Sequence, residues 1–263
     1  MSAEVTPFPP LTIYDRAIQI NPKFSLALAH KAETLNQLQN YQEALVASEN
    51  AIVGDGILGD TSPAYIWNQR SHSLIGLQKY EEALAAAERA TTLETQYAEA
   101  WNNKGVSLWN LGKYTEAQAA LKKAVDINPQ YTQAWFNYGR NFSSLKKYDT
   151  AVYAYRKALI GDISLVDKAT LASIWANQGA AYWHLKKYND ALNASKNATS
   201  LNPDSFEAWY NRGVILVDLE DYNHALDAYY QANKINPNNP YVLTGIGVAL
   251  ARNGNEQEAL QTF

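Results

Sequence analysis

Tryptophan recurs in this chain at a fixed interval, and that interval limits the fold more than any other feature. Trp67, Trp101 and Trp135 stand 34 residues apart, and so do Trp175 and Trp209. Other residue types return at fixed offsets from each tryptophan. After Trp101 come Gly105, Leu108, Leu111, Tyr114, Ala117, Leu121, Ala124, Ile127 and Pro129; after Trp209 come Gly213, Leu216, Leu219, Tyr222, Ala225, Tyr229, Ala232, Ile235 and Pro237. Apolar offsets of three and four are helical, and the pattern breaks at Gly112-Lys113 and again at Asn128-Pro129. Each unit therefore reads as two antiparallel helices, and a hairpin of that kind buries its apolar face only by stacking on a neighbour.

Small residues sit where stacked helices must come close. Gly105, Gly139, Gly179 and Gly213 fall inside first helices, where glycine costs about 1 kcal/mol against alanine. Ala117, Ala151, Ala191 and Ala225 take the corresponding place on second helices, and Tyr114, Tyr148, Tyr188 and Tyr222 fill the wedge between successive pairs.

The pattern resembles the tetratricopeptide repeat family, whose 34-residue helix–turn–helix carries a W, L, G, Y, A, F, A, P signature. Complete repeats are expected from Ser25, Ala64, Ala98, Thr132, Ala172 and Phe206. Residues 8–24 read as the second half of a repeat, and 240–263 as a last repeat that stops inside its second helix. The resemblance implies an all-α fold, a single right-handed α-α superhelix over residues 1–263 with about fifteen helices.

Two spacings exceed 34: Leu28 to Trp67 is 39 and Trp135 to Trp175 is 40. The added residues lie in 53–63 and 160–168, and both insertions begin with Gly-Asp after a second helix. Ile-Asn-Pro at 20–22, 127–129 and 235–237 recurs at intervals of 107 and 108. Together these give a longer period of three repeats, as if a three-repeat block had been duplicated. Ser62 before Pro63 is the expected cap of one first helix and Ser164 of another. Gly54, Gly56 and Gly59 mark the earlier insertion as the most mobile loop.

Composition narrows the function. Lys plus Arg is 22 against 26 Asp plus Glu, a net charge of -4, which argues against a nucleic-acid binder acting through bulk charge. There is no cysteine, so disulfides, thiolate nucleophiles and cysteine-held metals are excluded. The four histidines form no HExxH and no i,i+4 pair, no phosphate-binding glycine loop follows a strand, and Gly54-Asp55-Gly56 lacks the rest of a calcium loop. No enzyme activity, cofactor or metal site is expected. No apolar run spans a membrane and no basic-then-apolar leader opens the chain, so a cytoplasmic protein is expected.

In the resembled family the first helices line a concave face that receives an extended peptide or a partner's helix. Carried over, its sixth position reads His30, Gln69, Asn103, Asn137, Asn177 and Asn211, like the asparagine ladder that grips a peptide backbone through paired donor and acceptor. Neighbouring positions supply Tyr65, Asn68, His72, Trp109, Phe136, Arg140, Trp183 and Tyr210, aromatics among amides suited to apolar anchors. The cationic members of the two-carboxylate clamp that receives chaperone tails are missing, so that subtype is rejected. Lys31, Arg70, Lys104 and Arg212 stand at the seventh position, where a long stem covers apolar area while its charge reaches water or a carboxylate.

The expected function is a non-enzymatic scaffold for a protein or peptide partner, with neither nucleic acid nor membrane. The alternative is an assembly module working through its termini or convex face, or the regulatory repeats of a larger protein. Ala259, Leu260 and Phe263 share one helix face with nothing following to cover it. That leads us to expect an end cut from a longer protein, packed end-to-end on a second copy, or frayed, with truncation favoured.

Overall fold

The computed structural model describes residues 11–164 and 166–262, with the side chains of 261 and 262 left out; residues 8–10 and Phe263 of the expectations above lie outside it. Fifteen helices follow one another: α1 (Leu11–Ile20), α2 (Ser25–Gln37), α3 (Tyr41–Ile52), α4 (Pro63–Gly76), α5 (Tyr80–Leu93), α6 (Ala98–Asn110), α7 (Tyr114–Ile127), α8 (Thr132–Ser144), α9 (Tyr148–Ile160), α10 (Lys168–His184), α11 (Tyr188–Leu201), α12 (Phe206–Asp218), α13 (Tyr222–Ile235), α14 (Pro240–Arg252) and α15 (Glu256–Thr262). The described residues contain no strand. The chain forms two compact units, Met1–Pro129 and Gln130–Phe263, each a stack of antiparallel helix pairs of the α-α superhelix class. In unit 1 the first helices α2, α4 and α6 lie side by side, and in unit 2 α8, α10, α12 and α14 do.

Alanine allows this close stacking. Ala44, Ala83, Ala117, Ala151, Ala191 and Ala225 hold one position of the second helix in six repeats, and all are completely buried. The helical glycines work differently from one another. A Cβ on Gly105 would strike the Leu121 side chain at 2.5 Å, one on Gly139 the Tyr155 ring at 2.4 Å and one on Gly213 the Tyr229 ring at 2.5 Å. There glycine makes room for a large side chain from its own second helix. Gly179 faces Ser195 instead, and the backbones close up until an added Cβ would meet the Ala191 carbonyl oxygen at 3.3 Å.

The two insertions are clasps. In unit 1 the Asp55 amide donates to the Lys23 carbonyl at 2.7 Å, the Asp55 carboxylate accepts from the Ser25 amide, and the Gly56 amide donates to Ser25 Oγ. In unit 2 the Asp162 amide donates to the Gln130 carbonyl at 3.0 Å, and Thr132 Oγ1 donates to the Asp162 carbonyl. Ser25 and Thr132 are equivalent, each the first residue of its repeat, so both insertions fold back onto the start of their own hairpin. The repeated Gly-Asp is thereby explained, and the 53–63 segment is tied down where its glycines suggested a free loop. Ser62 Oγ caps α4 as expected, accepting from the Ala64 amide at 3.0 Å. The cap of α10 is Asp167, whose carboxylate accepts from the Thr170 amide at 2.8 Å. Ser164 bonds Asp162 instead. An ionised acceptor placed next to the helix is the stronger cap.

Seventh-position cations close the seams of unit 1. Arg70 reaches Glu49 at 3.3 Å and Lys104 reaches Glu88 at 3.1 Å, each acid standing on the preceding second helix. Each cation also lies over its repeat's tryptophan: Arg70 is 5.9 Å from the centre of Trp67 and Lys104 5.5 Å from that of Trp101. Trp67, Trp135 and Trp209 pack against the buried core. Trp101 and Trp209 also donate their indole N–H to Thr95 and Pro203 carbonyls, fixing the turn before each repeat.

Candidate functional site

Unit 1 presents two polar clusters on its first helices. Tyr65 on α4 donates its hydroxyl to Glu33 Oε2 at 2.6 Å and lies 3.1 Å from His30 Nδ1, with both partners on α2. The His30 ring stacks on Tyr14 of α1, centroids 6.0 Å apart. Hydrogen bonding to His30 holds the Glu33 carboxyl below its usual range, with the Tyr65 hydroxyl acting the same way. Burial, reinforced by that carboxylate, pushes the Tyr65 hydroxyl well up. The second cluster runs across α4 and α6: Asn103 Nδ2 donates to Asn68 Oδ1 at 2.8 Å, and Asn68 Nδ2 donates to the Tyr97 hydroxyl at 3.1 Å. Asn68 and Asn103 are both buried. Gln69 is also buried and accepts from Asn36. His72 is open to solvent beside Tyr41, yet its surroundings crowd out enough water to lower its pKa from the ordinary value. Trp109 is half-buried in the last turn of α6.

In unit 2 the expected residues divide between core and surface. Phe136 is buried against Tyr155, and the Arg140 guanidinium lies over its ring at 5.8 Å. Asn137 is buried and receives Gln133 Nε2 at 3.5 Å. Asn177 donates to the Ser173 carbonyl of its own helix at 2.9 Å and stays half-buried. Trp183, Tyr210 and Asn211 come together. With His184 and Val214 they line a cavity of about 220 Å³ between α10 and α12. Its walls are fixed from behind: the Trp183 indole N–H donates to Asp218, and the His184 ring stacks flat on Tyr148 at 4.1 Å. Tyr210 stacks on Phe206, centroids 6.1 Å apart.

The sixth-position series is thus not a uniform ladder. Its members at 69, 103 and 137 are walled in by neighbouring side chains, whereas Asn211 borders open space. Glu33 and Tyr97 were missed in the sequence. Glu33 stands at the same repeat position as His72 and Arg140, the ninth counted from Ser25, Ala64 and Thr132, so the register already pointed to it. Tyr97 precedes its repeat and carried no signal of its own. Among the described residues no group of three or more His, Asp or Glu is placed to hold a metal ion. No helix there is long and apolar enough to cross a membrane.

Tetratricopeptide-repeat models match residues 68–132, 104–164 and 206–239. The chain belongs to the tetratricopeptide repeat family. A model of the protein prenyltransferase alpha subunit repeat also matches residues 188–219, and no curated protein matches the sequence. The tetratricopeptide stack is similar to a chain of the APC/C hetero-tetramer Cut9–Hcn1, with TM-score 0.79 and 17% identity over 91% of this chain. It spans 46% of that chain, about half its length. It is also similar to PilF of Pseudomonas aeruginosa, with TM-score 0.67 and 16% identity over 76% of this chain and 88% of that one. YrrB, described as a tetratricopeptide protein with an unusual peptide-binding site, gives TM-score 0.51 and 22% identity over 74% of this chain and 95% of that one. At these identities the likeness is one of fold. Family membership makes the chain a protein-interaction scaffold.

Proposed function

We propose that the first helices bind an extended peptide or a helix of a partner protein, with an apolar side chain of the partner seated between α10 and α12. The observation that carries this reading is the Trp183–His184–Tyr210–Asn211 cavity. Rigid aromatic walls lose little entropy on binding, and a side amide at the rim offers both a donor and an acceptor to a backbone. The Tyr65–Glu33–His30 cluster adds polar ground along the first helices of unit 1. YrrB's description as a tetratricopeptide protein with a peptide-binding site supports a peptide as the ligand.

The test begins with peptides selected from a random library on the full chain and measured by calorimetry against Trp183→Ala and Tyr210→Ala. Both substitutions are expected to weaken binding by about 2 kcal/mol or more, as for aromatic anchors, with helicity kept. Selected peptides that bind both variants as tightly as the parent would overturn the reading.

A second reading is an assembly role. The similarity to one chain of a hetero-tetramer favours it, as does an apolar cavity of about 400 Å³ between α14 and α15, lined by Val248, Ala251, Ala259 and Leu260. End-to-end self-association through that surface predicts an apparent mass that rises with concentration in sedimentation equilibrium.

A further inference from the structure

The seams of unit 1 are closed by a carboxylate on one second helix and a cation on the next first helix: Glu49 with Arg70, and Glu88 with Lys104. In unit 2 the same repeat positions are occupied differently. Between α9 and α10 the acid's place is taken by Arg156 and the cation's place by Gln178. Between α11 and α12 the acid's place is taken by Lys196; Arg212 bonds Thr199 Oγ1 instead, and its Nε is buried without a partner. At that place neither of these second helices supplies the carboxylate that those of unit 1 do. The charge of the second helices turns accordingly: α5 has three glutamates against Arg89, whereas α9 has Arg156 and Lys157 against Asp149.

The first of these seams is open. A cavity of about 360 Å³ lies among α9, α10 and α11, with Arg156, Trp175, Gln178, Asn193 and Asn197 on its walls and Asp190, in the first turn of α11, also bordering it. Gln178 is 97% buried, its relative exposure being 3%, and its amide nitrogen has no hydrogen-bond partner. Arg156 is exposed and forms no ion pair among the described residues. Trp175 carries no cation over its ring among those residues, unlike Trp67, Trp101 and Trp209. A buried amide donor left unbonded is unfavourable, so a ligand that satisfies it gains affinity in addition to its other contacts. Trp175, Gln178 and Tyr182 follow at i, i+3 and i+7 on α10, whereas Ala180, Trp183 and His184 occupy its other side, so this cavity is separate from the one between α10 and α12.

We propose that this cavity is a second recognition site, which takes an acidic side chain of a partner peptide and so supplies the carboxylate the seam lacks. The acid pairs with Arg156 and accepts from the Gln178 amide, while the stem of the side chain lies against Trp175. Asp190 sets the limit on the charge the site accepts: one carboxylate next to Arg156, not a phosphate carrying two charges. The proposal is independent of the groove reading and makes its own contacts.

The test uses the full chain and a fluorescein-labelled, end-blocked hexaglutamate peptide, with hexaglutamine as control, read by anisotropy at low salt. Hexaglutamate is expected to bind at least about tenfold more tightly than hexaglutamine, and Arg156→Glu to weaken it by about tenfold or more. Gln178→Glu, which places a carboxylate inside the seam, is expected to weaken it as strongly while leaving the circular-dichroism melting curve intact or shifted upward. Trp183→Ala and Lys168→Glu are expected to leave it unchanged, which separates this site from the groove and from general surface charge. The proposal is overturned if hexaglutamate does not bind, if hexaglutamine binds equally, if well-folded Arg156→Glu keeps full affinity, or if Trp183→Ala abolishes it. Displacement by free glutamate at equal concentration would equally overturn a peptide as the occupant.

Discussion

Asn103 donates its side-chain amide to Asn68 Oδ1 at 2.8 Å, across the junction of two first helices and between two buried residues. The bond spends on the scaffold an amide that a peptide-gripping ladder would offer to a ligand. Asn103→Ala leaves Asn68 with a buried, unmet acceptor and is expected to cost about 1–3 kcal/mol of stability. Asn177, bonded to its own helix and half-buried, is expected to lose under about 0.5 kcal/mol as alanine. Urea unfolding of the two variants side by side checks the contrast, and equal losses would contradict it.

The turn inside each hairpin passes through the left-handed region at one fixed residue. It is Gln39, Gln78, Lys146, Lys186 and Glu220 in five repeats, with φ from 57° to 61°, and Gly112 in another at 75°. A side chain there is strained by about 1–2 kcal/mol, part of which glycine returns as unfolded-state entropy. Lys186→Gly is therefore expected to stabilise the chain by about 0.5–1 kcal/mol, and Gly112→Ala to destabilise it by a similar amount. Thermal melting of both variants gives the signs directly.

How much of this was legible in the sequence depended on whether the cause was local. The 34-residue period placed helix starts at Ser25, Ala98, Thr132 and Phe206 because apolar spacing, small residues and turn residues all act within one hairpin. The Gly-Asp repeat was visible as a pattern, but its reason is a bond to Lys23 or Gln130 some thirty residues earlier, which no local rule reports. Ser164 reads in the sequence as the cap of the next first helix, and only the chain path shows Asp167 next to the first helical residue. The sixth-position asparagines looked alike because spacing gives a direction but not a neighbour. Whether each amide meets water or another amide is decided by the adjacent repeat, as with Asn68 for Asn103. The open seam at Arg156 and Gln178 was legible in principle, as an arginine in the place of Glu49 and a neutral amide in the place of Arg70, once the pairing of those positions was known.

The two clasps can be broken by one methyl group. A Cβ on Gly54 would lie 2.4 Å from Ser25 Oγ and 2.5 Å from the Lys23 carbonyl oxygen; on Gly161 it would lie 2.8 Å from the Gln130 carbonyl oxygen. Backbone cannot yield as a flexible side chain can, so Gly54→Ala and Gly161→Ala are each expected to cost about 1–3 kcal/mol. Hydrogen exchange should show the loss first in the amides of Asp55 or Asp162. Gly56→Ala, at φ 74° with nothing near its Cβ, is the control that carries strain without the collision.

Asn141 is fully buried in α8, and neither its amide nitrogen nor its oxygen has a partner. Exchanging it for an apolar side chain of similar size removes two unmet polar groups. Asn141→Leu is expected to raise the free energy of unfolding by about 1–3 kcal/mol, seen as a higher urea midpoint at unchanged slope. A lower midpoint would mean that a buried water satisfies the amide in solution.

Acid should weaken the fold in two separable steps. Neighbouring groups that displace part of the water around the solvent-open His72 and His184 hold both below the ordinary histidine value of 6.5, and the charge of Lys146 adds to the effect at His184. The unfolded chain therefore takes up these protons first as the pH falls. Their contribution is complete above 6.5 and is lost as the pH descends from there through the lowered folded values. Glu33, Asp55 and Asp167 are also lowered, by hydrogen bonds to their carboxylates, so their contribution is lost only below the ordinary carboxylate range. Urea unfolding at pH 7.5, 5.5 and 3.5 should give stabilities that fall at each step. In a His72→Gln, His184→Gln double variant the first fall should shrink and the second remain. A first fall that keeps its full size in the double variant would assign it to other groups.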